Sequence, residues 1–91
     1  MGVTVRIPTQ LRSLTQGEGT VLAEGESVRD LLKDLEKNFP GMNERLIDDS
    51  GDLRRFINVF VGQEDIRFLN GLDTQIGREE EVSIVPAIAG G

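Results

Sequence analysis

One segment constrains the fold more than any other. Val28, Leu31, Leu32, Leu35 and Phe39 fall at i, i+3, i+4, i+7 and i+11, a single apolar face at helical period. Arg29, Lys33, Glu36 and Lys37 charge the opposite side. Ser27 stands where an N-cap belongs, with Asp30 three residues later as the acidic half of a capping box. Pro40 and Gly41 stop the helix. The spacing therefore predicts one amphipathic helix over 28–39, its leucine stripe in the core. No second segment of the 91 residues repeats that pattern.

The other apolar segments alternate at period two. Val3, Val5 and Ile7 interleave with Thr4 and Arg6 and read as a strand that Pro8 ends. Residues 9–19 are polar with two glycines and read as a hairpin loop, Leu11 and Leu14 tucked beneath. Residues 20–23 are a second strand that Gly25 closes. Residues 41–55 read as a polar connector in which 42–47 form one helical turn. Asp48, Asp49 and Asp52 around Gly51 lack the spacing and closing glutamate of a calcium loop, so a solvated turn is expected. Residues 56–61 are a third strand, with Ile57, Val59 and Val61 on one face and Phe56, Asn58 and Phe60 on the other. Residues 62–65 turn the chain, Ile66 and Phe68 mark a short fourth strand, and Leu72 and Ile76 form an apolar plug. Residues 82–85 are a last strand that Pro86 stops.

One helix covers one face of a sheet, so the other face is wet or used for binding. The arrangement that buries a single leucine stripe in this element order is α+β: a β-grasp mixed sheet with the main helix across one face. The expected core is Val3, Val5, Ile7, Val28, Leu31, Leu35, Ile57, Val59, Val61, Val82 and Ile84. The expected organisation is one domain over 1–91, with 86–91 as a flexible tail.

Composition narrows the chemistry. Leu, Ile, Val and Phe make up roughly a third of the chain, well above the ~20% of chains that stay disordered. With no Cys there is no disulfide, thiolate zinc site or cysteine nucleophile. With no His, the commonest general base and the serine triad go too. Ser13, Ser27, Ser50 and Ser83 have no histidine to activate them. No glycine-rich phosphate loop is present. A net charge of −6 argues against nucleic acid and for a basic partner surface. No apolar run reaches membrane-span length, and residues 1–8 lack the apolar core of a secretory leader. A cytoplasmic chain, monomeric when free and without catalytic groups of its own, is expected.

Gly90 and Gly91 close the sequence. A carboxylate that is to be activated inside another enzyme must thread a narrow channel, and glycine has no side chain to block the carbonyl. Ala87 and Ala89 keep the segment slim around Ile88, and beyond Pro86 the tail would reach ~17 Å when extended. On that reading Gly91 is the reactive group, with Pro86, Ala87, Ile88, Ala89 and Gly90 as the segment that threads; the alternative is a terminus that simply frays into glycine. Alternation also puts Phe60, Ser83 and Val85 on the open face, a candidate docking patch if the third and last strands are neighbours. The alternative is that residues 41–55 or the 63–80 loop fold over them.

The chain resembles the ubiquitin-like sulfur carriers, the family of the molybdopterin synthase small subunit and the thiamine sulfur carrier. The similarity runs over essentially all of it: VTVRIP, LRSLTQG, FINVFVGQEDIRF and EEEVSIVPAIAGG. The RFINVFV…EDIRF block and the PAIAGG ending are most similar to the mycobacterial type that donates sulfur for cysteine synthesis. A longer 41–55 connector, and Gly62 where many relatives have Asn, weigh against the molybdopterin subunit. The resemblance implies that a ubiquitin-activating-type enzyme adenylates the Gly91 carboxylate with ATP, and that sulfur displaces AMP to leave a thiocarboxylate. The acceptor would be a cysteine synthase of the pyridoxal-phosphate type, or else the molybdopterin synthase large subunit. A metalloprotease would release the cysteine. ATP, zinc and pyridoxal phosphate would belong to those partners, none to this chain. Two other readings stay open: a protein modifier joined through Gly91 to lysines, and a plain β-grasp interaction domain with an inert tail.

Overall fold

The computed structural model describes residues 2–77 and 81–86. Strand β1 (Val3–Arg6) pairs antiparallel with β2 (Thr20–Ala23), Val5 opposite Val21. The last strand β5 (Glu81–Pro86) runs parallel to β1, with Val82 beside Val5. It also runs antiparallel to β3 (Ile57–Val61), with Ile84 opposite Val59. A two-residue strand β4 (Glu64–Asp65) closes the far edge. The order β2-β1-β5-β3-β4, with the first and last strands parallel at the centre, is the β-grasp arrangement.

Helix α1 (Val28–Asn38) begins as the sequence predicts. Ser27 is extended, and its hydroxyl accepts the Asp30 amide at 3.3 Å. The helix ends because Pro40 disfavours helical geometry at Phe39, whose own amide still donates to the Leu35 carbonyl at 2.7 Å. Val28, Leu31, Leu32 and Leu35 enter one cluster with Val5, Val59, Val82 and Ile84, the residues that alternation assigned to the helix side. Every residue of the expected core is buried. Gly25 lets the chain enter the helix: a Cβ there would lie 2.5 Å from the Leu31 nitrogen, an approach backbone atoms cannot yield to.

Three segments depart from expectation. Residues 9–19 are not an irregular loop, because Thr9–Thr15 form a 3-10 helix. Pro8 at its start supplies the fixed φ such a turn needs, and Leu11 and Thr15 are buried by it. The connector is less polar in space than in sequence. Helix α2 (Met42–Leu46) packs on α1 and buries Met42 and Leu46 completely. The Glu36 carboxylate of α1 accepts the Gly41 and Asn43 amides at the start of α2. Finally, β4 is Glu64–Asp65, not Ile66 and Phe68. The Asp65 carboxylate accepts the Arg67 amide at 2.8 Å and starts a 3-10 turn over Ile66–Phe68. At three residues per turn, positions two apart no longer share a face, so Ile66 is buried while Phe68 is 86% exposed.

The last strand runs one residue further than expected. Pro86 stands opposite Ile57 as the final residue of β5. A proline is tolerated there because β1 pairs only with the first half of β5, so no partner on that side needs its missing amide.

Candidate functional site

The sheet has one free face, and strand alternation decides what it presents. The register sets Thr20, Arg6, Ser83, Phe60 and Asp65 in one row across all five strands. Phe60 lies directly opposite Ser83, and Val85 lies two residues further along β5, opposite Asn58. The third and last strands are neighbours, so the structure brings the three sequence-predicted docking residues together. No loop buries them: Phe60 and Ser83 are half-buried and Val85 is 41% exposed. The patch leads to Pro86. The rest of the expected reactive tail, Ala87, Ile88, Ala89, Gly90 and Gly91, lies outside the described residues.

The charges on this face are solvated. The Arg6 Nε donates to Glu81 Oε1 at 2.8 Å with both side chains exposed, a pair worth about 0–1 kcal/mol at most. Beside Val85, the Asn58 amide oxygen accepts a hydrogen bond from the Arg67 guanidinium, which also reaches the Arg54 and Ile57 carbonyls. Sequence reasoning did not single out Asn58 or Arg67. The signal was there, since both lie in the RFINVFV…EDIRF block, but a strand reading of 66–68 hid which way Arg67 turns. Leu22, 67% exposed on β2 at the other end of the sheet, was missed as well.

The acidic turn has an internal explanation. Asp48 Oδ1 accepts the Ser50 hydroxyl at 2.7 Å, the Ser50 amide at 2.9 Å and the Asp52 amide at 3.1 Å. The Ser50 hydroxyl first, then the Asp52 amide, hold the Asp48 carboxyl below its ordinary value. Among the described residues no group of three acidic side chains is arranged to hold a metal ion. No described helix is long and apolar enough to cross a membrane.

The fold, the open patch and the Gly-Gly sequence meet in a family comparison. The model of the ThiS family matches residues 5–91. This chain belongs to the ThiS family. Within it, the chain is 48% identical over 93 residues to the sulfur carrier protein CysO of Mycobacterium tuberculosis, with 100% of each covered. Among solved structures, one from an Amycolatopsis orientalis BexX/CysO complex superposes with a TM-score of 0.91 at 44% identity, covering 98% of this chain and 99% of that one. A further match is the small archaeal modifier protein 3 of Haloferax volcanii, 34% identical over 65 residues, 71% of this chain and 70% of that one.

Proposed function

We propose that this chain is a sulfur carrier: a cytoplasmic co-substrate, not a catalyst, that presents one carboxylate to a series of partner enzymes. The observation that carries the reading is the 48% identity, over the whole of both chains, to a protein named as a sulfur carrier. The absence of His and Cys fits a chain that lends a carboxylate and leaves catalysis to others.

The chemistry starts at Gly91. An oxygen of its carboxylate attacks the α-phosphorus of ATP in an adenylating partner, and pyrophosphate leaves. A sulfur nucleophile then adds to the acyl carbon and AMP departs with the C–O bond electrons. The product is a thiocarboxylate, which gives its sulfur to an acceptor, most simply a pyridoxal-phosphate-dependent cysteine synthase. In that route the thiocarboxylate sulfur bonds to the β-carbon of an activated serine as its leaving group departs. A zinc metalloprotease then hydrolyses the link between Gly91 and the new cysteine, and ATP, zinc and pyridoxal phosphate all reside in the partners. The patch of Phe60, Ser83 and Val85 is where the adenylating enzyme and the acceptor bind in turn. Gly90 and the small residues Ala87 and Ala89 let the carboxylate reach their sites.

Mass spectrometry tests the reading. Incubation with the adenylating enzyme, ATP and a sulfur donor should replace one carboxyl oxygen with sulfur. Deleting Gly91 should abolish that shift and leave the melting temperature unchanged. A truncated chain that still gains sulfur would refute the assignment. The resemblance to a small archaeal modifier supports a second reading, attachment through Gly91 to lysines. High-mass conjugates that vanish with the same deletion, in cells where no thiocarboxylate forms, would favour it.

A further inference from the structure

The two halves of the RFINVFV…EDIRF block are joined by the β3–β4 pairs and by one further side chain, and that side chain sits beside the end of β5. The Gly62 amide donates to the Glu81 carbonyl at 2.8 Å, which sets the phase of the β3–β5 ladder. Hydrogen-bonded pairs alternate along antiparallel strands. Phe60 and Asn58 therefore exchange bonds with Ser83 and Val85, while Ile57, opposite Pro86, turns its amide and carbonyl away from β5. On that outer side β4 pairs only with Phe60 and Val61, so no strand reaches Ile57.

Side chains and turns complete the edge instead. The Ile57 amide donates to the Arg54 carbonyl at 3.0 Å. Its carbonyl accepts from Arg67 at 2.7 Å. The same guanidinium donates to the Arg54 carbonyl at 3.0 Å and to the side chain of Asn58. Arg67 is aimed there by the Asp65 cap, which ends β4 and turns the chain back along the edge of β3. An arginine suits this place because its planar fork serves several acceptors from one rigid group.

We propose that Arg67 is a positioning residue for the C-terminal carboxylate. It locks Ile57, the partner of Pro86, and the side chain of Asn58, and so fixes the end of β5 from which the sequence continues to Gly91. The proposal rests on the sulfur-carrier reading and goes beyond it. Arg67 touches no reacting group. Its effect belongs to the reaction step and not to docking, because the docking residues Phe60, Ser83 and Val85 are held by ladder bonds of their own, whereas the Ile57–Pro86 pair has none.

The test is steady-state kinetics of ATP-dependent activation by the adenylating enzyme, with the carrier as varied substrate. Arg67→Met should lower kcat about ten- to hundredfold, the scale set by misplacement of a reacting group, while KM for the carrier stays within about twofold. Arg67→Lys keeps the charge without the fork and should recover only part of kcat. Asn58→Ala should give a smaller fall in the same direction. Leu35→Ala, assayed below its melting temperature, separates lost stability from lost position and should retain kcat. Unchanged kcat in Arg67→Met, or a fall matched by Leu35→Ala, overturns the proposal. A wild-type chain that is never activated instead refutes the sulfur-carrier reading. In that event NMR still decides the positioning. Arg67→Met should shift the amides of Ile57, Asn58, Val85 and residues 87–91, and an unshifted set beyond Ile57 and Asn58 overturns it.

Discussion

The two faces of this sheet come from the same strands and differ only in the parity of their residues. On one face Val5, Val59 and Val82 are shut away from water beneath α1. On the other, one residue along each strand, stand Arg6, Phe60 and Ser83, none of them buried. The covered face is uniformly aliphatic and packs against the leucine stripe. The open face is mixed, with an ion pair, hydroxyls, an aromatic ring and a valine beside the last strand residue. The same backbone thus supports two separable demands. Substitutions on one face should act on folding, and on the other on partners.

The largest effect should come from the covered face. Leu35→Ala leaves a cavity under the sheet and should cost about 2–5 kcal/mol, a large share of the stability of so small a domain. Chemical or thermal denaturation measures it, and no loss would mean that the helix does not pack as described. Next is Phe60→Ala on the open face. Affinity for the adenylating enzyme should fall by about 1–3 kcal/mol with little change in melting. If its melting loss equals that of Leu35→Ala, Phe60 is core and the contrast between the faces collapses. The smallest effect should lie in the connector, remote from the open face. The folded Asp48 carboxyl titrates below its unfolded value. Its contribution to stability is therefore complete above the unfolded pKa, near pH 4, and is lost as pH falls through the folded one. Asp48→Asn should melt slightly below wild type at neutral pH, with the gap closing on acidification and activation unaffected. A gap that widens toward low pH would reverse that sign.

Much of this was legible from local patterns. The helix and its cap need only Ser27, Asp30 and a period of 3.6, and the faces of β1, β3 and β5 need only alternation. Those signals are short-range, because side-chain direction repeats with the backbone that carries it. For the same reason the patch of Phe60, Ser83 and Val85 could be named before its strands were known to touch. What misled was local as well. Ile66 and Phe68 look like a strand because apolar residues alternate, whereas the Asp65 carboxylate caps a 3-10 turn closed by the Leu69 amide on the Ile66 carbonyl.

The sequence by itself determined that one helix must cover one sheet face, which residues point toward it, and that the chain carries neither His nor Cys. Tertiary structure decided the rest. It placed β5 between β1 and β3, pressed Met42 and Leu46 of a polar-looking connector into the core, left Gly25 no room for a side chain, and sent Arg67 to the edge where Pro86 ends the sheet. Each of these depends on groups distant in sequence meeting in space. Periodicity encodes the direction of a side chain but carries no record of which segment will arrive opposite it.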